Sequence, residues 1–285
     1  MDSPDEKVKM KPTILWSLRI AGMFAMVCAP LVGQQGTEPP NVLKVTRVAI
    51  KPGQTGAYAG IASTDIKLLS DAKWPRVSIA MRSVTGPEEI VYLTGFESLG
   101  AWEADDAMLN KSPLLKFSLE EAARKADVFS SGTTTFTLSY KSDISFKPRF
   151  VWSDMKCMDL ITVRLKPGHG DEYLANRKIV VEAHTGADIH EHLLLYSVTS
   201  GITSSTFIVL RPLDSLHAMD LLNAEHDSEK YGTVLGDANR AKLHALFAAS
   251  VEQEEERYYC ADPALSYVTP EWVKTNKDFW IPSPR

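Results

Sequence analysis

Lys51-Pro52-Gly53, with Tyr58 closing the segment after four intervening residues, returns as Lys166-Pro167-Gly168 with Tyr173 in the same place, 115 residues on. Three further landmarks follow in order. Ser83-Val84-Thr85 matches Ser197-Val198-Thr199, Ser98-Leu99 matches Ser215-Leu216, and Leu138-Ser139-Tyr140 matches Leu265-Ser266-Tyr267. Self-similarity of this length means one supersecondary unit used twice. The 285 residues therefore divide into two units, each long enough to bury a core of its own.

Each unit reads as strand, helix, hairpin, split helix, strand. In the first, Val45 to Ile50 alternates β-branched residues, Pro52-Gly53 stops it, and Thr55 to Asp71 carries a broad apolar helical side. Val77, Ile79 and Met81 alternate through a second strand, and Thr85-Gly86-Pro87 turns it into a hairpin partner, Ile90 to Phe96. A helix capped at Ser98 breaks near Asn110 and restarts with Ser112 as N-cap and Pro113 at the first helical position. Thr134 to Tyr140 closes the unit. The second unit predicts strand Leu160–Leu165, helix Gly170–His184, hairpin His190–Val198 and Thr206–Leu210, helices Ser215–Asn223 and Asp237–Gln253, and a last strand within Arg257–Val268. Glu225 to Gly236 reads as a polar loop, and Glu252 to Glu256 as an acidic solvated helix end. The units span 43–140 and 157–268, joined by a linker over 141–156. The tail, 269–285, is expected to lie along the surface.

The first 36 residues read as a signal peptide. Ile20 to Gly33 is uncharged, follows Lys11 and Arg19, and leads into a polar exit. It is shorter than the roughly 20 residues of a membrane helix and contains Pro30. Met1 to Lys9 fits a signal poorly, and Met10 makes the better start. Val27 before Cys28 departs from a lipoprotein signal. The expectation is export to the periplasm or beyond, with no stable membrane span after cleavage. A net charge of −5 and the absence of a basic cluster exclude a general nucleic-acid binder. After signal removal two cysteines stay, Cys157 and Cys260. An oxidising compartment allows a disulfide, and two separate buried thiols fit the spacing equally well.

A βαββαβ order gives a four-stranded antiparallel sheet with helices on one face, the ferredoxin-like arrangement. Two such units cover their open faces by packing sheet to sheet as an intramolecular α+β barrel. In element order and in the Lys-Pro-Gly turn, residues 43–140 and 157–268 resemble the dimeric α+β-barrel superfamily, including antibiotic-biosynthesis-monooxygenase-like and NIPSNAP-like proteins. The resemblance implies an α+β fold with first and last strands adjacent, and hence a Cys157–Cys260 disulfide. It spans cofactor-free oxygenases, haem-dependent enzymes and isomerases, and leaves the cofactor unknown. No catalytic motif of the superfamily maps onto this chain, and a shared fold does not carry a function with it.

All seven histidines lie between His169 and His244. Aligned at Ser83 and Ser197, Arg76 and Ser78 correspond to His190 and His192. Strand alternation then puts Val77, Ile79 and Met81 under the helices, and Arg76, Arg82 and their counterparts on the other face. The expectation is a cleft between the sheets lined by Arg47, Arg76, Arg82, Arg164, His190, His192 and Tyr196, suited to a small anionic or oxygen-rich ligand. The different-class alternative is an oxidoreductase of the monooxygenase-like or haem-dependent kind, with a histidine of the second unit as base or ligand. The plain competitor leaves the arginines at strand ends in water and the histidines at a strand start. Glu182, His184 and Asp188 stand near His190-x-His192, yet no metal-ligand spacing is matched and no metal is expected. His217, His226 and His244 read as solvated.

Overall fold

A computed structural model describes residues 37–281. The signal-peptide reading falls outside them. None of the described helices is long and apolar enough to cross a membrane.

The first unit comprises β1 (Val42–Ile50), α1 (Thr55–Asp71), β2 (Ile79–Ser83), β3 (Glu89–Phe96), α2 (Leu99–Asn110), α3 (Pro113–Asp127) and β4 (Ser130–Tyr140). The second comprises β5 (Cys157–Leu165), α4 (Gly170–Ala187), β6 (Leu194–Ser200), β7 (Thr206–Leu213), α5 (His217–His226), α6 (Glu229–Ser250) and β8 (Val251–Ala261). Eight antiparallel strands close into one barrel in the order β1-β3-β2-β8-β5-β7-β6-β4. Within each unit the sheet has the ferredoxin-like order, and two seams, β2 to β8 and β4 to β6, join the units. Closure removes the edges that a lone four-stranded sheet would leave open. At the β4–β6 seam Gly201 has φ +95°, and a Cβ there would lie 2.3 Å from the Thr135 carbonyl oxygen, so only glycine fits.

The opening repeat has a physical basis. Gly53 (φ +73°) and Gly168 (φ +84°) take the positive φ that a Pro-Gly turn needs. The turns close by Gln54 N–H to Lys51 O (2.9 Å) and His169 N–H to Lys166 O (3.2 Å). Each lysine then donates to a carbonyl near the end of its unit's last helix, Lys51 to Val128 and Lys166 to Ala248. A cation there complements the negative end of the helix dipole. Tyr58 and Tyr173 are both buried under their helices.

Several elements differ from expectation. The segment predicted as a polar loop holds the end of α5 and the start of α6: the Ser228 hydroxyl accepts from Tyr231 N–H as N-cap, and the helical course of α6 is interrupted only at Gly236. Glu252 to Glu256 belongs to β8, paired with β5, so it is strand rather than helix end. Leu265-Ser266-Tyr267 lies beyond β8 and meets the first unit at a Ser78–Tyr267 bridge. It is therefore not the counterpart of Leu138-Ser139-Tyr140, which ends β4. The tail does not lie along the surface. Its helices α7 (Pro270–Thr275) and α8 (Lys277–Trp280) send Trp272 and Trp280 into the core with Trp152 of the linker. Trp280 Nε1–H donates to Ser153 O at 2.8 Å.

Apart from one end, the barrel interior is apolar. Leu43, Val45, Val77, Ile79 and Met81 of one unit meet Met158, Leu160, Leu194, Tyr196 and Ile208 of the other. Val77, Ile79 and Met81 thus face the barrel and not the helices, which corrects the expected polar lining between the sheets. Ala80, on the opposite face of β2, is fully buried as well, so alternation alone cannot assign a face. Cys157 and Cys260 occupy paired positions on β5 and β8 and form a disulfide.

Candidate functional site

The strand pairings fix how the units correspond. Val45 opposes Leu93 as Leu160 opposes Leu210, and Ile79 opposes Leu93 as Leu194 opposes Leu210. β2 therefore maps onto β6 at an offset of 115 residues, one more than the Ser83–Ser197 alignment implies. A one-residue slip turns every side chain to the opposite face. Arg76 corresponds to Glu191, not His190, and both of these charges are buried on the helix side of their sheets.

The seven residues expected in one cleft do not meet. Arg47 does point into the barrel, at one end, where it and Arg257 hold Glu89: Arg47 Nη2–H and Arg257 Nη1–H each donate at 2.8 Å, and the Tyr259 hydroxyl also donates. Burial pushes Glu89 up, but these donors win and hold its carboxyl below the usual range. Arg76 is buried on the outer face against Asp105 of α2 at 2.9 Å. Arg82 pairs with Asp262 and Arg164 with Glu252. Tyr196 is sealed in the barrel core, its hydroxyl donating to Pro40 O at 3.3 Å. His190 and His192 precede β6. All four expected arginines already have carboxylate partners, so none is left waiting for an anion.

What the fold assembles instead lies between the second sheet and its helices. Asp159 of β5 and Arg211 of β7 are directly paired across strands, and Arg211 Nη1–H donates to Asp159 Oδ2 at 2.5 Å. Arg211 Nε–H donates to Glu191 Oε2 at 2.9 Å. The other oxygen of Glu191 meets His184 Nε2 from α4 and lies 3.4 Å from His226 Nε2 at the end of α5. Tyr231 of α6 places its hydroxyl 3.4 Å from His184 Nδ1. Burial pushes Glu191 up, yet the two histidine rings and Arg211 together hold it well below the usual carboxylate range. For Asp159 burial wins: with Glu256 nearby and Arg211 only partly offsetting, its carboxyl is pushed up to about 7.

Beside this cluster opens a cleft of about 570 Å³. Its apolar wall comes from Phe150, Met155, Leu213 and Leu222, and its polar wall from His190, Glu191, His192 and Glu225. Glu225 clamps His190 twice, accepting from the backbone N–H and from Nδ1, both at 2.7 Å. Glu225 is held below the usual carboxylate range by these contacts against the opposing effect of burial. An ionised carboxylate only accepts, so Nδ1 carries a proton, and in the neutral ring Nε2 is then the acceptor. His192 Nδ1–H donates to Lys147 O at 2.5 Å.

A second, smaller cavity of about 310 Å³ occupies the matching layer of the first unit. Tyr58 and Tyr92 meet there, hydroxyl to hydroxyl, at 3.2 Å. Asp65 lines it with one buried oxygen, Oδ1, that has no hydrogen-bond partner, and burial pushes its carboxyl up to about 6.

The sequence reading missed Glu191, Arg211, Asp159 and Glu225, and took His226 as solvated. A signal for two of them was present: Arg211 is the one charge of β7, and Asp159 is set between Met158 and Leu160 in β5, placements that need a partner. Glu191 and Glu225 carry no such mark.

No protein-family model matches the chain, and no curated protein matches it in sequence. Solved structures do. A "Putative monooxygenase" from Fusobacterium nucleatum aligns with 8% identity over 78% of this chain and 93% of its own, at TM-score 0.51. An anthrone oxidase-like protein aligns with 11% identity over 80% and 93%, at TM-score 0.50. A mutant chlorite dismutase from Candidatus Nitrospira defluvii reaches TM-score 0.45 at 9% identity over 79% and 92%. The chain thus has the dimeric α+β-barrel fold, built from two ferredoxin-like units within one polypeptide.

Proposed function

We propose that the protein is a small-molecule oxidoreductase of the monooxygenase-like kind, whose proton acceptor is Nε2 of His190 in the second-unit cleft. The observation that carries this reading is the His190–Glu225 pair at the wall of a cleft otherwise floored by apolar side chains. The carboxylate orients the ring and stabilises the imidazolium that forms, as in other base–orienter pairs. The fold shared with monooxygenase-like and anthrone oxidase-like proteins supports the same class. The acidic wall, with Asp154, Asp214 and Glu225 and no arginine or lysine, suits a neutral aromatic substrate better than an anion.

The chemistry balances with dioxygen as sole oxidant. His190 takes a proton from an activated CH2 flanked by aromatic or carbonyl groups, and the resulting carbanion gives its electrons to dioxygen. One oxygen atom stays as the new carbonyl, and the other leaves as water with the two hydrogens of the former CH2. A haem fits the described residues less well. It needs a flat apolar slot with a histidine nitrogen facing its centre. Here the His184 and His226 rings are held against Glu191, the barrel interior is filled, and His190 sits at an exposed rim.

Oxygen uptake with an anthrone as probe substrate tests the reading. His190→Gln is expected to lower kcat/KM by about 100-fold or more, and Glu225→Gln by less, with unchanged circular dichroism. Unaltered turnover in His190→Gln would refute the assignment. If Asp65→Asn abolished turnover instead, the reaction would belong to the first-unit cavity, where an unpartnered carboxylate stands beside two tyrosines. Export to the periplasm or beyond belongs to the same proposal, and its test is the N-terminal residue of the mature protein in a cell fraction.

A further inference from the structure

We infer that His184, Glu191 and His226 form a binding site for one divalent transition-metal ion. One donor atom from each, His184 Nε2, Glu191 Oε1 and His226 Nε2, lies within 4.8 Å of the other two. The three come from separate elements: α4, the segment before β6, and the end of α5. Sequence spacing therefore gave no template for them.

The contacts among these atoms are not those of a finished hydrogen-bond network. Glu191 is 1% exposed, and its Oε1 is in direct contact with His184 Nε2 and 3.4 Å from His226 Nε2, yet neither Oε1 nor His226 Nε2 makes a hydrogen bond of good geometry. Two buried polar atoms 3.4 Å apart without a well-formed hydrogen bond are costly as they stand. That separation matches the edge, about 3.3 Å, of a tetrahedron of nitrogen and oxygen donors with bonds of about 2.0 Å. Two imidazoles and one carboxylate suit zinc or ferrous iron, and three protein donors leave a position open. Calcium and magnesium would want oxygen donors throughout.

The surroundings are those of an orienting outer shell. Arg211 fixes the second oxygen of Glu191 at 2.9 Å and is itself fixed by Asp159. Tyr231 sits 3.4 Å from the other nitrogen of His184, the position from which an outer partner sets the ring of a ligating histidine. Charge points the same way. The single positive charge of Arg211 is shared between the buried Asp159 and Glu191 carboxyls, so it does not by itself satisfy both. Access comes from His226, whose side chain is 26% exposed, and from the cleft that Glu191 also lines. The inference does not depend on the reaction proposed for that cleft, because it is read without substrate.

The test uses the full chain, stripped with a chelator and titrated with Co2+. The expected result is one Co2+ per chain with visible d–d absorption, displaced by one equivalent of Zn2+ and accompanied by a rise in Tm. His226→Gln, at the least buried of the three, should weaken binding by at least about 100-fold while the apo protein stays folded, and Tyr231→Phe by about tenfold. Glu191→Gln should abolish the spectrum. A folded chain that takes up neither ion, or uptake unchanged in His226→Gln, would overturn the site and leave the cluster as an ion-pair network around Glu191.

Discussion

The two helix-to-sheet layers stand on strands in the same register and hold opposite contents. Where the second unit has Asp159, Glu191 and Arg211, the first has Lys44, Arg76 and Thr94 at the matching positions. Arg76 is neutralised at the edge of its layer by Asp105 and Glu97, and Lys44 lies over the Trp102 ring. That leaves an open cavity lined by tyrosines and Asp65. In the second unit the charges turn inward, α6 brings Tyr231 down on them, and the layer fills with an ionic cluster. The open space shifts outward to the cleft beside it. Duplicating a scaffold thus preserved the backbone hydrogen bonding while the buried charges diverged, and chemistry follows the charges.

The largest effect should come from Arg211→Met. It leaves Asp159 and Glu191 buried without their cation, and loss of one partner of such a group costs about 3–5 kcal/mol. Denaturant unfolding measures it, and a loss below about 1 kcal/mol would show that the cluster is solvated. The disulfide is a second asymmetry. Its counterpart in the first unit is the Val42–Ser139 pair, and the bond closes a separation of 103 residues. Cys260→Ser should lower stability by about 2–5 kcal/mol, and alkylation of two thiols in the native protein would show that the bond does not form.

Asp65 has no counterpart in the second layer and should reveal itself by pH. Burial raises its folded pKa to about 6, above an unfolded value of about 3.9. Stability held by the neutral form is complete below about pH 3.9 and is lost as pH rises through about 6. Asp65→Asn should therefore stabilise the protein above pH 6 by about 1 kcal/mol, the side chain being partly exposed, and leave it unchanged at pH 3. The smallest contrast concerns the repeated tyrosine. The Tyr58 hydroxyl has a partner in Tyr92, whereas that of Tyr173 is buried without one. Tyr58→Phe should cost about 1 kcal/mol, and Tyr173→Phe nothing or less than nothing. Equal losses in thermal unfolding would erase the distinction.

The duplication, the βαββαβ order and the tandem barrel were legible because they rest on local signals. Pro-Gly turns, N-caps and apolar periodicity act within a few residues, and α1 occurs over the residues where its pattern predicts a helix. The start of α6 was obscured because Glu229, Lys230 and Tyr231 are polar, although Ser228 caps it in the ordinary way. The candidate site was far less legible. Val77 and Ile79 look as suited to packing under helices as to filling a barrel, and one residue of slip exchanges the two faces.

By itself, then, the sequence determined that one unit occurs twice, where most helices and strands lie, and that the histidines gather in the second copy. Only the tertiary structure decided which face of each strand looks inward, that the tail plugs the barrel, and that His184, Glu191, Arg211 and His226 meet. Turns and helices are settled by neighbours along the chain. A buried charge is settled by whichever distant element supplies its partner, and that requires the closed barrel.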